Sequence, residues 1–196
     1  MAFNPENARR LLLETSEILD GIGIPFFLIQ GTALGAYRDG GFVPSEKDID
    51  LGILQENLTP KSLLLLSRLV LAGYDVEAFT IPFTTIRTIV GWKYGQKIDL
   101  VGMGLWEGKR FTASPVRDWV KPPYAIVHER SMLERHDTVN VFGRHFAVPS
   151  PIERYLELEY GPGWLVPADD HVSRTRIYDF VERNNIPADW LERPTA

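Results

Sequence analysis

Asp48 and Asp50 stand two residues apart in the run KDIDLGIL, alternating with Ile49 and Leu51. Charged and apolar residues at period two mark a β-strand with unlike faces. Side chains two apart in a strand share a face, so the carboxylates are neighbours while the isoleucine and leucine enter the core. At roughly 5 Å and an effective dielectric near 20, two such charges repel by about 3 kcal/mol. A hard cation, Mg2+ or Mn2+, offsets that cost, because it prefers carboxylate oxygens and keeps positions for water and phosphate. Solvent screening at an exposed edge is the alternative. Asp99, in KIDLVG, lies between Ile98 and Leu100 and repeats the pattern. If its strand adjoins the first, it adds a third carboxylate, either a metal ligand or the base for an attacking hydroxyl. Otherwise it is a solvated residue on an outer face.

Upstream, FFLIQG runs into TALGAYR, which puts Gly31 and Thr32 where a strand turns into a helix. Unpaired backbone N–H groups and the positive end of the helix dipole there favour an anion such as phosphate. An ordinary tight turn is the other reading. Arg38, in GAYRDG, offers a guanidinium that can hold two phosphate oxygens at once, or it pairs with Asp39 or Glu46. His128, His136, His145 and His171 show no zinc-helix spacing, and with no cysteine in the chain, thiolate zinc sites and disulfides are excluded together. Trp92, Trp106, Trp119 and Trp164 suit either a sugar-binding groove or packing, and Tyr155 to Tyr160 read as packing residues.

The elements that must position these groups follow from caps and periodicity. Asn4 and Pro5 open a helix over 4–20, which Gly21 stops. IPFFLIQ is almost wholly apolar and reads as a buried central strand. Thr59 and Pro60 open a helix that runs to Gly73. YDVEAFT, TIRTIVGWKY and KIDLVGM then form a meander beside the first strands, with a turn around Gly95 and Gln96. From 104 to 148 the pattern weakens, apart from a hairpin of TVNVFG and RHFAVP, and VKPPYAIVHER reads as an irregular loop. Ser150, Pro151 and Glu153 form a capping box for the helix PIERYLELEY, which ends at Gly161. A last helix is expected over His171 to Arg183. Together these predict one α+β domain over 1–196, a mixed β-sheet flanked by helices.

The chain has 196 residues, 44% apolar and 24% charged, with a formal charge of -5 and no basic block, so a non-specific grip on nucleic acid is not expected. Its longest apolar runs fall well short of the roughly 20 residues a membrane span requires. The N-terminal stretch lacks the apolar core of a signal peptide, and a cytoplasmic location is the simplest expectation.

GTALGAYRDGGFVPSEKDIDLGI is similar to the signature of the LicD and fukutin-related family of the nucleotidyltransferase superfamily. YGQKIDLVGM resembles that family's second acidic strand, and VPSPIERYLELEYGPGWLVP its C-terminal element. The resemblance implies a nucleotidyltransferase-like sheet and a metal-dependent transferase. Its reaction would move a phosphoalcohol, such as phosphocholine or ribitol phosphate, from a CDP-linked alcohol donor to a sugar or glycan hydroxyl. It also implies that Asp48, Asp50 and Asp99 hold Mg2+ or Mn2+ and that Gly31 and Thr32 face the donor phosphates, with Arg38 a candidate for neutralising their charge. The family has Trp-Asp-x before the paired aspartates, where this chain has Ser45, Glu46 and Lys47. Lys47 then either grips donor phosphate or marks altered chemistry. The rival functions are transfer of a nucleoside monophosphate by the same carboxylates and a non-catalytic module of the same fold.

Overall fold

The computed structural model describes residues 2–80, 87–106, 108–113 and 125–167. The helix expected at 171–183 and part of the 120–130 loop lie outside them. Helix α1 (Pro5–Gly21) starts as its sequence predicts: the Asn4 side chain accepts the Asn7 N–H at 3.0 Å, and Ala8, Leu11, Leu12, Thr15 and Leu19 form the buried stripe. It packs on β5 (Gln96–Trp106) and on α4 (Ser62–Leu71). Strand β2 (Ile49–Leu54) runs parallel to β5, and β5, β4 (Arg87–Lys93) and β3 (Asp75–Thr80) form the expected antiparallel meander. The β4–β5 connection is a two-residue turn with positive φ at Tyr94 and Gly95, one residue before the expected position. Leu11, Leu12, Ile49, Leu51, Ile98 and Leu100 are fully buried in the core between helices and sheet.

Four expectations require correction. IPFFLIQ yields only β1 (Phe27–Leu28), an edge strand antiparallel to β2, because the chain turns at Gln30, with positive φ, into α2 (Gln30–Leu34). The β8–β9 hairpin (His136–Val141 and Arg144–Pro149), which was expected, packs beside that edge. Thr59 is not a helix cap: α3 (Gln55–Leu58) begins earlier, and a 3-10 turn (Thr59–Lys61) carries the chain into α4.

The capping box on α6 (Ile152–Tyr160) is replaced by a long-range cap. Asp137 accepts the Ile152 N–H and the Ser150 hydroxyl, both at 2.9 Å, while Glu153 takes the Tyr37 hydroxyl at 2.8 Å. Finally, β6 (Lys109–Ala113) and β7 (Ala125–Glu129) extend the sheet from β5 where no period had been visible, and β7 occupies part of the expected loop. Arg110 on β6 is buried and bonds Glu56 of α3 and Glu134 of α5 (Arg130–Glu134), locking this extension to the domain. Among the described residues no helix is long and apolar enough to cross a membrane.

Candidate active site

Backbone close to backbone shapes the segment that delivers the acidic residues. After α2 the helix continues as a π-turn (Gly35–Asp39), and Gly41 N–H donates to Gly35 O at 3.1 Å. A Cβ at Gly35 would lie 2.5 Å from Gly41 O and 2.7 Å from Val43 N, so glycine alone permits this return. Residues 41–48 thus fold back over the start of α2, and Glu46 comes to rest against Gly31, where a Cβ would meet Glu46 Oε2 at 2.0 Å. Thr32 is buried and its hydroxyl accepts the Asp50 N–H at 2.9 Å, while Ile29 N–H donates to Asp50 O at 3.2 Å. Both backbone groups of Asp50 are therefore held from the glycine turn.

Asp48 precedes β2 and Asp50 is its second residue, yet their carboxylates converge as the alternation predicts. Among the described residues, Glu46, Asp48 and Asp50 offer carboxylate oxygens all within 4.8 Å of one another. Asp99 stands directly across from Asp50 in the parallel β2–β5 register. Burial, followed by the charges of Asp48, Asp99 and Glu46, raises Asp50 well above the ordinary carboxylate range, with Lys97 opposing. Burial, then Asp48, raises Glu46 to about 8.

Lys97 supplies the cation in this set: its ammonium lies 2.8 Å from Asp48 Oδ2 and 2.7 Å from Asp99 Oδ2. The donor set suits a hard divalent ion. It consists of oxygens alone, and Asp50 is only 7% exposed. The 4.8 Å spread is close to the ~4.2 Å between opposite oxygens around an ion with bonds of about 2.1 Å.

The remaining predicted residues divide. Gly31 lies at the site. Thr32 serves there as a tie to Asp50, its oxygen taken up by a backbone N–H. Arg38 follows the salt-bridge reading: it forms two bonds to Asp39, at 2.8 and 2.7 Å, and a third to Trp164 O at 3.0 Å. Lys47 is exposed, out of phase with its neighbours at 46, 48 and 50.

Sequence reasoning left Glu46 and Lys97 off the site, although both repeat the two-residue spacing of Asp48 and Asp50, Lys97 on β5 and Glu46 on the return that precedes β2. Glu46 is two residues before Asp48, and Lys97 two before Asp99. Tyr155, read as packing, also bonds the glycine turn, its hydroxyl accepting the Gln30 N–H at 3.0 Å.

Residues 23–150 match the sequence profile of LicD/FKTN/FKRP, nucleotidyltransferase domain. The chain is similar to the ribitol-5-phosphate transferase FKTN of Mus musculus, 41% identical over 168 residues that cover 83% of this chain and 34% of that protein. A shorter match, 45% identical over 53 residues, joins it to the Macaca fascicularis protein of the same name, covering 27% of this chain and 11% of the relative. The chain thus spans about a third of the length of the mouse relative.

In three dimensions it is similar to the solution structure of the antibiotic-resistance factor ANT(2'')-Ia, with a TM-score of 0.52 and 15% identity over 96% of this chain and 89% of that one. The crystal structure of ANT(2'')-Ia with adenylyl-2''-tobramycin gives 0.50 and 15%, over 94% and 92%. At that identity the likeness is one of fold. The profile match takes in the glycine turn and both acidic strands together, and the chain belongs to the LicD/FKTN/FKRP family and carries its nucleotidyltransferase domain.

Proposed function

We propose that this chain is a metal-dependent transferase that moves a phosphoalcohol, ribitol phosphate in the first instance, from a CDP-linked donor to a sugar hydroxyl on a glycan. The observation that carries this reading is the convergence of Glu46, Asp48 and Asp50 beside Asp99, in a chain similar to a ribitol-5-phosphate transferase. Glu46, Asp48 and Asp50 hold Mg2+ or Mn2+, which when bound neutralises charge on the donor's diphosphate and on the departing nucleotide. Gly31, with no side chain, leaves room at the start of α2 for the Glu46 carboxylate, and Thr32 keeps Asp50 in place beside it. Lys47, exposed beside the acidic run, meets the outer donor phosphate. Asp99 orients the acceptor hydroxyl and takes its proton as the oxygen attacks the phosphorus bearing the alcohol. The bond from that phosphorus to the bridging oxygen breaks, and CMP leaves with that oxygen.

The test is product analysis with CDP-ribitol labelled separately in the cytidine and the ribitol, in the presence of Mg2+ and a sugar acceptor. Ribitol label on the acceptor with release of CMP supports the reading, and Asp48→Asn should lower transfer by at least a hundredfold while the fold is retained. Cytidine label on the acceptor would replace it with nucleotidyl transfer. No transfer from any CDP-linked alcohol would remove it.

A further inference from the structure

Lys97 is the charged group at this site that the proposed chemistry leaves without a task. It lies on β5 two residues before Asp99, hence on the same face of the strand, and its neighbour Ile98 pairs with Ile49 across the sheet. That register sets Lys97 level with Asp48. The ammonium bonds Asp48 Oδ2 and Asp99 Oδ2 at once, and all three side chains retain some solvent contact, at 29% for Lys97, 29% for Asp48 and 18% for Asp99. Asp48 is thereby shared. One carboxylate faces the ammonium on β5 and also belongs to the oxygen cluster it forms with Glu46 and Asp50. Among the groups that perturb Asp50, Lys97 is the one that favours its ionised form.

We propose that Lys97 is a tethered counter-ion that competes with the divalent cation for Asp48 and sets how tightly that cation is held. In the metal-free protein its ammonium holds Asp48 and Asp99 apart from outright repulsion and keeps their carboxylates oriented. When a cation takes Asp48, Lys97 retains Asp99, and part of the attraction of the acidic cluster is already spent on it. Cation affinity is therefore lower than four carboxylates alone would give, which leaves the metal exchangeable and its hold on the protein dependent on the donor's own phosphates.

The inference rests on the cation reading above, and a binding measurement separates the two. Mn2+ is titrated calorimetrically into wild type, Lys97→Met and Lys97→Arg without nucleotide, and thermal unfolding of each is recorded in chelator. Lys97→Met should bind Mn2+ more tightly, by roughly two- to fivefold, and melt at a lower temperature in chelator. Lys97→Arg, which keeps the charge, should bind close to wild type. A lysine that merely braced the fold would give weaker Mn2+ binding on removal, never tighter. Unchanged or weakened binding in Lys97→Met, with wild type still binding, overturns the competition and leaves the cation site standing. Absence of Mn2+ binding in every variant overturns both. Should Lys97→Met fail to fold, Lys97→Gln carries the same expectation.

Discussion

Burial and the neighbouring Asp48 carboxylate raise Glu46 from its ordinary 4.5 to about 8, so between those values the native protein holds a proton that the unfolded chain has released. The sign of the linkage follows: the contribution to stability is fully present below pH 4.5 and is lost as pH rises through 8. Asp50, raised for the same reasons, acts in the same direction. Metal-free protein should therefore lose urea resistance between about pH 5 and pH 8, and Glu46→Gln should flatten that fall. Equal slopes in the two proteins would show that Glu46 does not titrate in this range. Added Mg2+ should shrink the wild-type fall, because the cation favours the ionised carboxylates. At this scale the sequence was legible through alternation alone. Asp50 and Asp99 declare themselves as polar residues set between apolar ones, Asp48 and Lys97 stand two residues before them, and Glu46 two before Asp48. Glu46 and Lys97 escaped because the lysine sits at the start of β5 and the glutamate on the return before β2, each beyond the apolar residues that make the alternation visible.

Elements whose signals are local mostly matched expectation, the Thr59 cap excepted, and those whose partners are distant did not. The Asn4 cap, the β4–β5 turn and the β8–β9 hairpin need only a few adjacent residues, and each forms within one residue of where its sequence places it. The start of α6 looked equally local, yet its N–H is satisfied by Asp137, 15 residues away on β8. Nothing in Ser150-Pro151-Ile152-Glu153 announces that partner. Asp137→Ala should cost about 0.5–2 kcal/mol of stability, the usual range for a lost cap, measured by denaturant unfolding. Ser150→Ala, which leaves the Ile152 bond intact, should cost less, and the reverse order would return the cap to Ser150. Strands β6 and β7 were hidden for a related reason. Arg110 is a buried cation inside a strand, neutralised by Glu56 and Glu134 from two helices, so its strand shows no apolar period.

In the whole molecule, one sheet brings together groups separated by half a hundred residues. The parallel β2–β5 register sets Asp50 against Asp99, and the glycine-lined return over α2 adds Glu46 from a third direction. Composition and motif foretold the fold class and the acidic pair. They could not foretell register, because parallel pairing depends on the whole helix-and-strand crossover between 55 and 95. The central claim is that Glu46, Asp48 and Asp50 share one divalent cation, and calorimetric titration of Mn2+ into wild type and Asp50→Asn tests it most directly. One Mn2+ should bind the wild type. Asp50→Asn should bind at least tenfold more weakly while unfolding at or above the wild-type temperature in chelator, since it removes the cost of ionising a crowded, buried carboxyl. Equal Mn2+ affinity in the two proteins, or none in the wild type, would contradict the shared site.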